Sequence, residues 1–224
     1  MANTTDNFTV ASDIDLQDHV DPNSNTWDTG YGNSNTGIVV AATDRVEAGV
    51  SGVDGVINNS VAPATAEYDV SLDVNLGTAT RASGPAGRSI GGATNDAYFV
   101  NWRDSTGQWR LVKADAAVET ILATYTGDSP STTRTVLLQL RNATKKVFIG
   151  GVERISSTDN AVTATGNPGI FSYAQFSGWW VDNFSSTDVA GVTTPFPPFH
   201  HRVQITDKIW QLSLLIAAMV LNEW

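Results

Sequence analysis

The 224-residue sequence contains no cysteine, which excludes disulfides, thiolate nucleophiles and zinc–sulfur sites. It has only three histidines, and two of them, His200 and His201, are adjacent in a proline-rich stretch. So few imidazoles leave little from which a histidine-based catalytic or metal site could be built. We therefore expect no cofactor and no bound metal.

Positive charge is also scarce, because lysine and arginine together number 13 against 23 acidic residues. The formal net charge is −10 and the pI is about 4.5. Such a surface repels phosphate backbones, so we expect no nucleic-acid partner. Residues 1–12 have no basic region followed by an apolar core, so we predict that they are not a secretory signal. We therefore expect the protein to fold in a host cytoplasm.

Threonine, by contrast, occurs 26 times and glycine 19 times. Threonine favours pleated strands, while glycine, asparagine and serine supply turns. Short strand-like runs recur at a spacing of roughly 8–12 residues, which is typical of an antiparallel two-sheet sandwich. We predict an all-β jelly roll over residues 1–190, with strands at residues 37–42, 44–50, 67–76, 97–102, 109–113, 120–125, 133–141, 147–149, 152–155, 169–176 and 179–185.

Residues 67–76 form the clearest strand pattern. Tyr68, Val70 and Leu72 alternate with Asp69 and Ser71, and the alternation continues to the end of the run. Side chains along a strand point to opposite faces in turn. The pattern predicts one buried face and one face in contact with water.

A short motif occurs near both ends of this region. Asp6-Asn7-Phe8 reappears as Asp182-Asn183-Phe184. In a sandwich whose first and last strands pair, both segments would meet the same edge environment. We therefore predict that these two strands pair with each other.

The segment Glu67-Tyr68-Asp69-Val70-Ser71 is similar to the Glu-x-Asp-x-Glu strand motif of family 16 glycosidases. Those enzymes need a nucleophile and a general acid on one strand face, flanking the sugar. Serine cannot act as that proton donor, and Asp73 is too far from Glu67 to form the close pair. We predict no catalytic residues and no enzymatic activity.

Carboxylates could still hold calcium through oxygen ligands, either Asp69 with Asp73 or the loop acids Asp13, Asp15, Asp18 and Asp21. The run of residues 13–18 lacks the glycine and the terminal glutamate of an EF-hand loop. We interpret these acids as solvated side chains.

Tryptophans are the remaining candidates for binding, because sugar-binding sandwiches stack pyranose rings on exposed aromatic faces. Trp102 and Trp109 lie on adjoining strands of one predicted hairpin, and Trp179 and Trp180 should point to opposite faces. We name Trp102, Trp109 and Trp179 as candidate glycan-binding residues. The alternative, packing in a core or an interface, is the more common role of tryptophan.

The last part of the chain has a different composition. Residues 191–202 contain three prolines within four positions, which exclude helix and predict a stiff linker. Residues 203–224 predict a helix with two apolar seams, which needs two neighbours. The residues that we expect to mediate assembly are Ile209, Trp210, Leu212, Leu214, Ile216, Met219, Leu221 and Trp224.

The apolar stretch of this helix would be about 20 Å long, which is shorter than the roughly 30 Å hydrocarbon core, so we do not expect it to span a membrane. Oligomerisation or anchoring to another protein is the main interpretation. The alternative is that the helix folds back onto its own sandwich.

Over about residues 5–187 the sequence resembles the concanavalin A-like, laminin-G-like jelly-roll domains of tailed-phage and other virion proteins. The motifs that carry this resemblance are Asp6-Asn7-Phe8, the loop around Trp27, residues 67–74, Ala97-Tyr98-Phe99-Val100, Trp109-Arg110-Leu111, residues 135–140, Gly150-Gly151, Thr158-Asp159, Gly169-Ile170 and Trp180-Val181-Asp182-Asn183-Phe184.

The resemblance implies a phage-type virion structural protein, which would decorate the capsid, form a head fibre or belong to the tail. Its partners would then be other virion proteins and copies of itself, assembled through residues 203–224. The alternative function is a lectin-like module that binds host-surface glycans.

Overall fold

The computed structural model describes residues 3–33, 37–40, 42–48, 54–78, 81–172 and 178–189. These residues belong to the first of the two units into which the chain divides, Met1–Val189. The second unit, Ala190–Trp224, lies outside the described residues. The predicted linker over residues 191–202 and the predicted assembly helix over residues 203–224 therefore lie outside them too.

The described residues form a β-sandwich in which helical residues occur only as short 3₁₀ turns. The 3₁₀ turns are Leu16–Asp18, Tyr31–Asn33 and Asp104–Thr106. The strands are β1 (Asn3–Asp6), β2 (Ile14–Asp15), β3 (Trp27–Thr29), β4 (Gly37–Val40), β5 (Arg45–Ala48), β6 (Gly55–Asn59), β7 (Tyr68–Asn75), β8 (Arg81–Ala82), β9 (Gly84–Ile90), β10 (Asp96–Arg103), β11 (Gln108–Asp115), β12 (Val118–Thr126), β13 (Thr133–Arg141), β14 (Thr144–Ile149), β15 (Val152–Thr158), β16 (Asn167–Ser172) and β17 (Trp180–Asp188).

Two antiparallel sheets contain these strands. Sheet A has the order β15-β14-β13-β7-β17-β5-β4-β2, and β1 also pairs with β17. Sheet B has the order β12-β11-β10-β9-β16-β6-β3, and β8 also pairs with β10. The predicted all-β, two-sheet antiparallel sandwich is confirmed.

Strand β7 lies at the centre of sheet A and shows the predicted alternation. Tyr68, Val70 and Leu72 have no exposed surface, whereas Asp69 and Ser71 are half-buried on the outer face. A strand with one apolar and one polar face can pack against the core on one side only, so the alternation sets the register of the whole sheet.

The terminal strands pair as predicted from the repeated motif. Asp6 of β1 lies opposite Phe184 of β17, and Asn3 lies opposite Thr187. Strand β17 has a bulge between Asp182 and Ser185, where Asn183 has a φ of 52°. The two ends of the sandwich domain are therefore held in one sheet.

The prediction that Trp102, Trp109 and Trp179 offer an exposed platform is wrong. Their exposed fractions are 0%, 0% and 1%, and all three belong to the core between the sheets. A ring enclosed on both faces has no surface on which a sugar could stack. Trp180 points outward, opposite to Trp179 as predicted, and its ring lies 4.8 Å from the guanidinium of Arg45.

A buried carboxylate connects the two sheets near the N-terminus. Asp6 of sheet A accepts hydrogen bonds from His19 Nε2 at 2.8 Å, from Trp27 Nε1 at 3.0 Å and from the backbone N–H of Phe8 at 2.8 Å. Trp27 belongs to sheet B, and its ring packs against Phe8 and Phe184. Hydrogen bonds and aromatic packing thus join the first strand to both layers.

Two cations, Arg88 and Lys145, are also buried in the sandwich. Arg88 donates to the carbonyls of Ala66, Asn142 and Val162 at 3.0, 3.2 and 2.7 Å. Lys145 Nζ donates to the carbonyl of Asp159 at 2.8 Å, and burial lowers its pKa to about 8. These side chains satisfy carbonyls of loops that are distant in sequence.

The Asp6 network predicts a large effect of a small change. Removing one partner from a buried, hydrogen-bonded pair leaves the other uncompensated, so Asp6→Asn should lower the free energy of unfolding by about 3 kcal/mol. Asp18 is exposed and carries the same charge, so Asp18→Asn should change it by less than about 0.5 kcal/mol. Chemical denaturation monitored by tryptophan fluorescence measures both. Equal stability of the two variants would contradict the role of Asp6.

Asp21 predicts a pH dependence of stability. Burial opposes its ionisation, but hydrogen bonds from Thr4 and Asn25 outweigh burial and hold its pKa below 3.8. A carboxyl whose pKa is lower in the folded state than in the unfolded state stabilises the fold at any pH above its unfolded-state pKa. This contribution is lost as the pH falls through the folded-state pKa. Between about pH 5 and pH 2, wild type should therefore lose more unfolding free energy than Asp21→Asn. Parallel stability curves would rule out this contribution.

Candidate functional site

The outer face of sheet B carries the candidate site, and it has two halves. In β10, Trp102 points into the core, so Phe99, Asn101 and Arg103 point outward by alternation. The half around Phe99 is apolar and the half around Arg103 is polar. Each half is built from residues that the strand register places side by side.

The apolar half forms a second buried cluster, separate from the core between the sheets. Its members are Tyr31, Val56, Ala86, Ala97, Phe99, Val112, Ala114 and Phe171. The rings of Phe99 and Phe171 stack at 4.0 Å with an interplanar angle of 3°, and Tyr31 stacks on Phe99 at 5.8 Å. This half is closed to solvent, so it forms a small second core on the outer face of sheet B.

Tyr31 contacts two strands of sheet B that are not neighbours, β9 and β12. Its backbone N–H donates to Ser89 Oγ of β9 at 3.1 Å, and its hydroxyl donates to Glu119 Oε1 of β12 at 2.9 Å. Burial and the nearby carboxylate of Glu119 raise the pKa of Tyr31 above its ordinary value of 10.0. Gly30 allows the backbone before Tyr31 to approach Ser89, because a Cβ at Gly30 would lie 2.5 Å from Ser89 Oγ.

The polar half is called the arginine face below. The register places Arg103 opposite Gln108 and opposite Arg81 of β8. In the next row Arg110 lies opposite both Asn101 and Thr124. The arginine face therefore consists of Arg81, Asn101, Arg103, Gln108, Arg110 and Thr124.

Asn101 Oδ1 and Arg103 Nε, both on the arginine face, are buried and form no hydrogen bond within the protein. The whole Asn101 residue is only 3% exposed. Leaving a buried polar atom unsatisfied costs about 1–3 kcal/mol. Most buried polar atoms in folded proteins are hydrogen-bonded, so these two atoms need a partner that the protein itself does not supply, either a buried water or a bound molecule.

The hairpin of β10 and β11 was singled out from the sequence for its two tryptophans, and the structure places both of them on its core face. Trp102 and Trp109 lie opposite each other in the register and both face the core. Their neighbours Asn101, Arg103 and Arg110 must then face outward. Assigning the two tryptophans to the core would have found the arginine face from the sequence.

The acidic face of β7 contains carboxylates that already have partners in the protein. Asp69 pairs with Arg141 at 2.6 Å, and Asp73 accepts hydrogen bonds from Thr135 at 2.6 Å and Asn183 at 2.8 Å. Of the loop acids, Asp21 is buried in its own hydrogen-bond network. Within the described ranges, no group of three or more His, Cys, Asp or Glu residues could hold a metal ion.

A cavity of about 370 Å³ lies where β1 meets the bulge of β17. It is lined by Thr5, Asp6, Asn7, Pro22, Asn183, Phe184 and Ser185. Its size falls in the range of small-ligand pockets. Asp6 and Asn183 are held by hydrogen bonds within the protein, however, and so the arginine face is the stronger candidate.

No family model matches the chain, and no curated protein matches its sequence. Among solved structures, a carbohydrate-binding module, CBM66 of Bacillus subtilis, is similar with a TM-score of 0.55 and 17% identity, over 72% of this chain and 95% of the other. A protein of unknown function with a galectin-like fold, also from Bacillus subtilis, matches with a TM-score of 0.55 and 11% identity, over 83% and 98% of the two chains.

A candidate glycosyl hydrolase from Parabacteroides distasonis is similar with a TM-score of 0.51 and 11% identity, over 73% of this chain and 88% of the other. At such identities the similarity shows the fold. The sandwich is therefore a galectin-like, concanavalin A-like jelly roll, as the sequence resemblance implied. None of the described residues lies in a helix that is long and apolar enough to cross a membrane.

The contact between Tyr31 and Glu119 predicts a measurable coupling. Tyr31→Phe and Glu119→Gln each weaken or remove the hydrogen bond that joins the apolar cluster to β12. In a double-mutant cycle their effects on unfolding free energy should be non-additive by about 1 kcal/mol. Thermal or chemical denaturation of the four proteins gives this coupling. Strictly additive effects would show that this hydrogen bond does not stabilise the apolar cluster.

Proposed function

We propose that this chain is a lectin-like module that binds glycans through the arginine face. The observation that carries the proposal is the arginine face itself, a set of arginine and amide side chains that the strand register places together on the outer face of a sandwich sheet. Sugar hydroxyls both donate and accept hydrogen bonds. One hydroxyl can accept from the half-buried guanidinium of Arg103 while a neighbouring hydroxyl donates to the amide oxygen of Gln108, which is also half-buried.

The surroundings of the arginine face support the proposal. The stacked rings of Tyr31, Phe99 and Phe171 form a buried cluster on the same sheet face, next to the polar residues, and hold the strands in place. Rigid strands position such groups better than loops do. The similar solved structures, which include a carbohydrate-binding module and a galectin-like fold, favour the same function.

We further propose that binding occurs without hydrolysis. Glycoside hydrolysis needs two carboxyl groups flanking the sugar. The residues that define the arginine face include none. On β7, the position of the family 16 motif that would carry the proton donor is Ser71, and Asp69 is paired with Arg141.

The virion role and assembly through residues 203–224 stay predictions from the sequence. Their residues, from Ile209 to Trp224, lie outside the described part of the chain. The similar structures favour glycan binding, the alternative prediction, over a virion role. A glycan-binding module could still be displayed by a larger assembly, so the two predictions are compatible.

Screening the full chain on an array of defined oligosaccharides, followed by calorimetry with the bound sugars, tests the proposal. Loss of a hydrogen bond to a charged group costs about 1.5–3 kcal/mol, so Arg103→Ala should weaken binding by about tenfold or more. Arg45 lies on the outer face of sheet A, and Arg45→Ala should leave affinity within about twofold. Absence of binding to every sugar, or equal loss in both variants, would contradict the proposal.

A further inference from the structure

The arginine face contains one straight row of accessible polar side chains. Arg103 of β10 lies opposite Arg81 of β8 on one side and opposite Gln108 of β11 on the other. Gln108 in turn lies opposite Thr126 of β12. Arg81, Arg103 and Gln108 are half-buried, and Thr126 is exposed. These four residues, called the outer row below, present polar groups from four strands of one sheet.

The members of the outer row point away from the space between the sheets. Each of them is next in sequence to a residue that packs in the core or against it, and these neighbours are Ala82, Trp102, Trp109 and Tyr125. Successive side chains of a strand point to opposite faces of its sheet. The outer row therefore faces solvent wherever a core residue faces inward.

Along the strands, the open surface beside the outer row is short. In one direction β10 ends at Arg103 and the chain continues as the 3₁₀ turn Asp104–Thr106. In the other direction Asn101 is only 3% exposed, and beyond it Phe99 is covered by the ring of Tyr31. Two residues of a strand span about 7 Å. The accessible part of β10 therefore offers room for roughly one sugar ring along the strand.

Across the strands, the surface of the outer row continues much further. Four strands at a spacing of about 4.8 Å separate the two ends of the row by about 14 Å. Strand β12 is the last strand of sheet B, and no other strand of the described residues pairs with its free side. A ligand on the outer row can therefore run across the strands and extend past Thr126 over the edge of the sheet.

The chemistry and the spacing of the outer row both suit a chain of sugars. A guanidinium donates hydrogen bonds, whereas an amide and a hydroxyl both donate and accept them, as sugar hydroxyls do. A pyranose ring is about as long as the strand spacing of roughly 4.8 Å, so consecutive rings of an extended chain can each face one strand. One ring alone can contact only part of the row.

We infer that the outer row binds a linear, extended glycan that lies across the strands and contacts it with three or more consecutive sugar units. The inference rests on the proposed function and adds the form, the orientation and the minimum length of the ligand. Arg103 and Gln108 contact the central units, and Thr126 contacts a unit at the sheet edge. A longer chain continues beyond this edge, so the site accepts units from within a polysaccharide.

Oligosaccharides of increasing length test the inference. Calorimetry on the full chain uses β-1,4-linked gluco-, manno- and xylo-oligosaccharides of one to six units, because these chains are extended. In at least one series the affinity should rise by about tenfold or more between one and four units, since each further ring adds hydrogen bonds, and should change by less than about twofold beyond that length.

The outcomes separate this inference from the proposed function. Equal affinity for a single sugar and for its four-unit chain would overturn the inference and leave glycan binding standing. Binding in none of the three series would refute the inference for extended chains, and the array screen then decides whether glycan binding itself stands.

A variant at the sheet edge tests the orientation of the chain. Thr126→Ala should weaken binding of the four-unit chain by about threefold or more, because it removes one hydrogen bond, and should leave the two-unit sugar within about 1.5-fold. Thr120 lies on the same strand opposite Lys113 and points to the other face, so Thr120→Ala is the matched control. Thermal unfolding midpoints show that both variants fold. Equal losses for the two-unit and four-unit sugars, or the same loss in Thr120→Ala, would contradict the proposed orientation.

Discussion

The buried pair of Trp102 and Trp109 is the constraint on which the candidate site depends. The two residues lie opposite each other on β10 and β11, and neither has exposed surface. Burying an indole contributes roughly 4–6 kcal/mol by area, so a one-residue slip that turned both rings outward would be prohibitively unfavourable. The same register then forces Asn101, Arg103 and Arg110 onto the outer face. Core packing therefore positions the residues of the candidate site.

Stability and binding make opposite demands on this face. Asn101 Oδ1 and Arg103 Nε are buried and form no hydrogen bond within the protein, which costs free energy in the unliganded chain. Compensation comes from regions that take no part in binding, such as the Asp6 network that joins the two sheets and the apolar cluster under Tyr31. Local rules are commonly broken at functional sites and satisfied elsewhere, and the arginine face follows this pattern.

Much of the sandwich could be predicted from local sequence, because strands leave a two-residue period and turns need particular residues. The alternation in β7, the β1–β17 pairing and the glycine turn between β14 and β15, where Gly150 and Gly151 both have positive φ, were predicted in this way. Features that depend on distant partners could not be. The pairing of Arg81 with Arg103, and the burial of Lys145 against distant loop carbonyls, arise only when the sheets are assembled. The tryptophans were misplaced because an aromatic residue on a strand suits a core and a sugar platform equally well, and only the packing of the opposite sheet decides between them.

The most direct test of the account is an NMR titration of the ¹⁵N-labelled chain with an oligosaccharide that it binds, following backbone amides and arginine Nε–H groups. The account predicts that the largest shifts occur at Asn101, Arg103 and Arg81, with the Arg103 Nε–H signal moving as the guanidinium group binds the sugar. It predicts little change at Asp69 and Asp73 on the outer face of sheet A. Shifts centred on sheet A or on the β1–β17 cavity, with the Arg103 Nε–H signal unmoved, would contradict it.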